Sequence, residues 1–228
     1  MKMVEIGTVE GLFRYPVKSM RGEALETAEL GWHGLKGDRR LALRRMQDRS
    51  GFPWLTATKL SELVLFTPEG AGDGEGFPTH VRTPDGASMT VFSEELAAEI
   101  GRRHGALVQM MHLKQGIFDD ACISVIASDT IGEISRLAGA APDVRRFRPN
   151  VLVRLSQPAP FQEDRWLGDE LTFGESGDGA AISVTMHDVR CSMVNLDPDT
   201  AKPSPEVLKT IVRVNQNNAG VYGTVVRV

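Results

Sequence analysis

Glycine and proline interrupt this chain so often that long helices have little room: 23 glycines and 12 prolines fall among 228 residues. Proline lacks a backbone donor and glycine loses the most freedom on ordering, so each tends to mark the end of a regular element. The apolar runs between them are strand-length and rich in Val, Ile and Phe, which favours pleated structure. The strands predicted this way cover 4–13, 24–30, 40–46, 62–66, 80–83, 89–92, 107–111, 121–126, 151–155, 170–173, 182–186 and 223–228. Thr83-Pro84-Asp85-Gly86 reads as a hairpin turn, with Gly86 free to take positive φ. Three short helices are predicted: one capped by Ser93 and stopping near Gly101, one opened by Ser128 or Asp129, and one with Ser204 as cap and Pro205 in first position. The expected fold class is therefore β-rich α+β, with the helices peripheral to the strands.

At 41% hydrophobic and 25% charged residues the chain can bury one large core or two small ones, which excludes disorder as the dominant state. Polar residues accumulate over 101–116, and this seam divides the sequence into 1–115 and 116–228. No window holds the ~18 consecutive apolar residues of a membrane helix, and the first residues carry no signal-like core. The expectation is a soluble cytoplasmic protein without a membrane partner. The glycine-rich stretch 70–76 lacks the Gly-x-Gly-x-x-Gly spacing of a dinucleotide site and reads as a surface loop.

Cys122 and Cys191 are too few for an internal iron–sulfur cluster, which normally takes about four thiolates. The five histidines are scattered, so no zinc-site spacing arises either. A net charge of −4 argues against nucleic-acid binding. Positive charge is instead local, in Lys36 to Arg49 and again in Arg136 to Arg154, and such local excess in an acidic chain asks for an anionic ligand.

Within the second stretch, Arg146-Phe147-Arg148-Pro149-Asn150 reads as an extended corner entering a strand, its two arginines on one side and suited to phosphate oxygens, or else as a solvated strand edge. Tyr15-Pro16-Val17-Lys18-Ser19 reads as a strand ending in a turn that offers a cation and a hydroxyl, or as an ordinary loop. Cys191 follows an apolar strand and sits beside Arg190, which suits a nucleophile or soft metal ligand; the alternative is a buried structural thiol. Cys122 reads as a small core residue. His187 and Asp188 are neighbours on a strand, so they point to opposite faces and do not pair.

Together these segments resemble a known family. Tyr15-Pro16-Val17-Lys18-Ser19, Gly34-Leu35-Lys36-Gly37-Asp38-Arg39 and Thr56-Ala57-Thr58-Lys59 resemble the N-terminal β-barrel domain of MOSC proteins. Arg146 to Asn150, Glu163-Asp164-x-Trp166-x-Gly168 and Arg190-Cys191 with Asp197-Pro198-Asp199-Thr200 resemble the MOSC domain, named for the C-terminal part of molybdenum cofactor sulfurase. The resemblance implies a MOSC β-barrel core with short peripheral helices, preceded by a β-barrel-like domain. It also implies kinship with the mitochondrial amidoxime-reducing component and its bacterial counterparts, which carry molybdenum cofactor and reduce N-hydroxylated compounds. Cys191 would then be the metal ligand and catalytic centre, with Lys18, Ser19, Arg39, Arg148, Pro149 and Asn150 lining the pterin and its phosphate. Met20 and Arg21 match no role in that scheme.

The same resemblance implies further partners. Electrons would come from a separate iron–sulfur or flavin protein, and pyridoxal phosphate is not expected, since nothing here resembles the aminotransferase-like domain of the sulfurase. A further strand is implied after the Asn217 to Gly223 segment; at Val228 the barrel would be left open or completed by a second copy of the chain. Two other functions remain: a sulfur carrier with a Cys191 persulfide, and a MOSC-fold module that binds without catalysis.

Overall fold

The apolar runs read as strands gather mainly in one mixed sheet. The computed structural model describes residues 3–72, 76–174 and 177–228, so residues 73–75 of the glycine-rich loop lie outside the described residues. Seven strands pair in the order β13-β14-β15-β11-β12-β1-β2. They are β1 (Gly7–Arg14), β2 (Glu23–Leu25), β11 (Ile123–Ala127), β12 (Val151–Leu155), β13 (Glu170–Thr172), β14 (Ala181–Val189) and β15 (Asn218–Arg227). Neighbours are antiparallel except β11 and β12, whose parallel pairing requires a crossover. That crossover carries α2 (Ser128–Ala138) and α3 (Val144–Phe147).

A smaller sheet pairs β10-β5-β6, namely β5 (Leu41–Arg45), β6 (Trp54–Leu55) and β10 (Val108–His112). A third pairs β7 (Thr67–Glu69), β8 (His80–Arg82) and β9 (Ser88–Thr90) in chain order, and β3 (Leu30–Gly31) with β4 (Gly34–Leu35) forms a short hairpin. The turn between β8 and β9 closes through Gly86 at φ 90, as its sequence predicts. Helices α1 (Glu94–His104) and α4 (Glu206–Asn215) complete the regular structure.

Period-two alternation sets the layers of the large sheet. Along β11, Ile123, Val125 and Ala127 enter a core with Val153, Trp166, Ile182 and Val221 on one face. Ile126 enters a second core on the other, with Ile131 and Ile134 of α2, Phe147 and Ile211 of α4. A third core surrounds the smaller sheet, around Leu41, Leu55, Phe66 and Ile100. Leu196 and Ala201 join it from the far end of the chain, so the segment after Cys191 connects two cores.

Several expectations change at this level. Residues 61–65 form a 3₁₀ helix, because the short apolar run Leu63-Val64-Leu65 suits a buried helical turn as well as a strand. The run 24–30 splits into β2 and β3. Helix α1 ends on Gly105 in the left-handed region and reaches His104, beyond Gly101; Ser93 Oγ accepts from Leu96 N at 3.2 Å as its cap. Helix α4 starts at Glu206, with Pro205 in the cap position. Helix α2 has no side-chain cap of its own: the buried Glu163 accepts from Ala127 N and Thr130 Oγ1, capping it from another element. The strand predicted at 223–228 is longer, β15 from Asn218, and it is hydrogen-bonded on both sides, to β14 and β11. Strands β1 and β2, from the first half of the chain, belong to the sheet built by the second half.

Candidate functional site

Two motifs distant from each other in sequence run side by side. Arg39 N donates to Tyr15 O, Leu41 N to Pro16 O, and Lys18 N to Leu41 O, so segment 15–18 lies along segment 39–41. Gly37 introduces the second of these at φ +78; a Cβ there would stand 2.5 Å from Gly76 O, so the close approach requires glycine.

Asp38 follows, fully buried. Its Oδ1 accepts from Tyr15 N at 2.7 Å and its Oδ2 from Arg39 Nη1 at 2.6 Å. Arg39 is 5% exposed and its guanidinium is nearly saturated. Nε pairs with Asp119 Oδ2 at 2.6 Å, Nη1 also reaches Asn150 Oδ1 at 3.2 Å, and Nη2 donates to Arg148 O at 2.7 Å. Burial works against its charge, but Asp38 and Asp119 hold its pKa above the ordinary value. Asn150 is also committed to structure: Oδ1 accepts from Ser124 N, Nδ2 donates to Phe13 O, and its backbone bonds Ser124 and Phe13, tying β11 to β1.

Lys18 and Arg148 differ. Lys18 Nζ donates to Phe118 O at 2.7 Å, and burial pushes its pKa down. Arg148 Nη1 donates to Met20 O at 2.7 Å, and no carboxylate among the described residues lies within ion-pair distance. Burial, reinforced by the Arg39 charge, pushes it down to about 10. Its guanidinium packs 4.2 Å from the Tyr15 ring, which Arg39 also faces at 4.9 Å. Each cation keeps N–H groups beyond those bonds, and this is where an anion would find donors.

The extended reading of Arg146 to Asn150 is corrected. Asp143 caps Arg145 N, residues 144–147 make one helical turn, and Arg148 takes φ 53, so Arg146 and Arg148 diverge. Arg146 turns to Asn195 O and Asp197 while Arg148 turns to Met20. Pro149 is buried beside that turn, and its missing N–H helps to end the helix. The basic runs also disperse: Arg40 holds the carbonyls of Leu113 and Lys114, Arg45 pairs with Asp48, Arg136 with Glu133 and Arg154 with Glu10.

Cys191 lies beyond the end of β14 with its residue exposed, which removes the buried-thiol alternative. Its backbone is pinned from β15: Arg190 N donates to Asn217 O and Asn217 Nδ2 donates to Arg190 O. Arg190 Nη1 pairs with Asp188 Oδ2 at 3.0 Å, and Ser124 Oγ donates to the same carboxylate at 2.8 Å. A continuous path of polar contacts therefore runs from Arg39 through Asn150, Ser124 and Asp188 to Arg190, one residue before the thiol. Burial raises Asp188 to about 6. His187 points the other way, its Nδ1 3.2 Å from Asp164 Oδ1, as strand alternation requires. Cys122 is half-buried against the large-sheet core, and burial raises its thiol.

Ser19 is buried at φ 70 beside this network. Of the seven non-glycine residues with positive φ among the described residues, Ser19, Arg39, Arg148 and Asn217 are in this region. Such conformations cost energy and persist where the surroundings enforce them. Sequence reasoning missed Asp119, Ser124, Asp188 and Asn217, whose partners are remote in the chain. Asp38 was visible only within the Gly-Asp-Arg segment.

Two family models match. One, the MOSC domain, covers residues 94–228, and the other, the MOSC N-terminal beta barrel domain, covers residues 6–127. Among solved structures, the crystal structure of the YuaD protein from Bacillus subtilis aligns with a TM-score of 0.51 at 15% identity, over 98% of this chain and 89% of that one, a likeness of fold. No curated protein matches.

Proposed function

This chain belongs to the MOSC family, whose domains are associated with molybdenum cofactor and sulfurase-like proteins, and from that membership we propose that it is a cytoplasmic molybdenum-cofactor-binding oxidoreductase that reduces N-hydroxylated compounds. Its electrons come from a separate iron–sulfur or flavin protein. Reduction of an N-hydroxylated substrate takes two electrons and two protons; the N–O bond breaks and the oxygen leaves as water. When bound, the cofactor supplies the two-electron chemistry.

The observation that carries this reading is the corner at Cys191. The thiol is exposed, and both residues that fix its backbone hold a buried polar atom with no partner among the described residues, Arg190 Nη2 and Asn217 Oδ1. Buried polar groups are normally paired, so a donor and an acceptor left over beside a soft ligand fit a polar metal cofactor. Cys191 would supply the thiolate. Lys18 and Arg148 would take the anionic tail with their remaining N–H groups, while Asp38, Arg39 and Asn150 hold those two in place. Ser19 and Pro149 shape the backbone on which the cations stand.

The test is metal and pterin content per chain, after purification from a host that makes molybdenum cofactor, with Cys191→Ala in parallel. The expected result is near-stoichiometric molybdenum in the native protein and its loss in the variant, followed by reduction of N-hydroxylated compounds with an artificial electron donor. No molybdenum in either protein overturns the reading. A Cys191 persulfide found by mass spectrometry in its place identifies a sulfur carrier.

A further inference from the structure

One end of the small sheet carries an apolar row that no neighbouring element covers. Where β5 pairs with β10, Met46 N donates to Leu107 O, one step beyond Arg45 opposite Val108. On the other side of β5, Arg44 stands opposite Trp54, and the same register carried two residues further sets Met46 opposite Phe52. Leu107, Met46 and Phe52 therefore lie side by side across three strands, 67%, 44% and 51% exposed. Alternation puts them on the face opposite Leu43, Leu55 and Met110, which fill the core. Large apolar side chains gathered on a surface mark a contact.

The charge around the row is one-sided. Residues 44–59 hold four cations, Arg44, Arg45, Arg49 and Lys59, against one carboxylate, Asp48, in a chain whose net charge is −4. Asp48 is taken by Arg45. Arg44 shares the face of Met46, and Arg49 sits in the turn that joins Met46 to Phe52. Both are exposed, as is Lys59, and among the described residues none of the three has an ion pair. Glu62 and Glu99, which could offset them, are held by Arg103. Burial, and after it the charges of Arg45 and Lys59, makes His104 harder to protonate, a sign of the positive potential at this end.

We propose that this end of the small sheet is a docking surface for an anionic lipid bilayer: Leu107, Met46 and Phe52 enter the headgroup layer, and Arg44, Arg49 and Lys59 meet lipid phosphates. A bilayer needs no complementary shape, only apolar groups that stand out from the surface with cations beside them. A second copy of the chain would set like charges face to face. A standard protein interface spreads over roughly 20–30 residues a side, and three side chains in a row suit shallow insertion better. No helix among the described residues can cross a membrane, so the contact is peripheral, on one leaflet. The expectation of no membrane partner rests on span length, which is silent on contact of this kind.

The experiment is co-sedimentation of the full chain with vesicles of phosphatidylcholine and phosphatidylglycerol in equal parts, beside vesicles of phosphatidylcholine alone. The mixed vesicles bind at least tenfold more tightly, and about 1 M salt removes most of the difference. Phe52→Ser weakens binding about fivefold, and Arg44→Glu with Arg49→Glu about tenfold or more. Trp32→Ser, at another exposed aromatic outside the row, leaves binding unchanged. The measurement needs no molybdenum, so it stands apart from the test at Cys191. No binding to mixed vesicles, binding that ignores charge and salt, or a loss in Trp32→Ser equal to that in Phe52→Ser overturns the proposal. A dimer in solution that Phe52→Ser dissociates assigns the row to a second copy and overturns it as well. All four substituted side chains are exposed, and a thermal melt of each variant confirms that the fold is retained.

Discussion

Arg39 and Arg148 face the same tyrosine ring, yet their surroundings are opposite. Arg39 has two carboxylates, an amide oxygen and a carbonyl around one guanidinium. Arg148 has one carbonyl and, among the described residues, no carboxylate. The contrast separates two kinds of cation that a sequence cannot distinguish: one saturated by the protein, which positions its neighbours, and one left with N–H donors to spare. Among the described residues Asp38, Arg39 and Asn150 keep no unpaired buried side-chain atom, whereas the corner at Cys191 holds two, Arg190 Nη2 and Asn217 Oδ1.

Truncation should break the comparison most sharply at Arg39. Arg39→Ala leaves Asp38 buried without its counter-charge, and a loss of about 3–5 kcal/mol is expected in denaturant unfolding. A loss under ~1 kcal/mol would mean that Arg39 is no more structural than Arg148.

Next comes pH. Burial raises Glu163 to about 7 from 4.5, so between those values the folded protein holds a proton that the unfolded chain releases. Stability therefore falls as pH rises from about 4.5 through 7, by on the order of 3 kcal/mol for a group this buried. Asp188 acts with the same sign, from 3.8 to about 6. Thermal melts of Glu163→Gln should lose the slope between pH 6 and 7 and keep only the Asp188 part of it below pH 6; an unchanged slope between pH 6 and 7 would refute the assignment.

Arg148→Ala removes one hydrogen bond and a ring contact, and about 1–2 kcal/mol of stability should go with them. The point of interest is the ratio to Arg39, measured in the same buffer. Cys191→Ala, at an exposed position, should shift stability by less than about 0.5 kcal/mol while abolishing molybdenum binding. A large drop in melting temperature would make the thiol a packing residue.

The sequence made the strands legible where one apolar run meets one element, as in Val151 to Leu155, and made helix ends legible where a cap is local, as at Ser93. It misread Arg146 to Asn150 because the capping aspartate and the left-handed Arg148 decide that geometry, and alternation is silent on both. The candidate site was readable as motifs but not as a network. Arg39 meets Asp119 and Asn150, and Ser124 meets Asp188, across separations that only the finished sheet closes. Charge runs were a poor guide, since most of their arginines serve local carboxylates or carbonyls.

The place of β15 has a temporal meaning. A ribosome releases Lys18, Arg39, Arg148 and Asn150 well before residues 218–227, yet in the backbone pairing of the sheet β14 and β11 are joined by β15. Asn217, which pins the backbone at Cys191, arrives at the same moment. The nascent chain therefore carries its cations long before it has a seat for the thiol. The corner at Cys191 is therefore assembled only once synthesis has passed residue 217, late in the life of the chain.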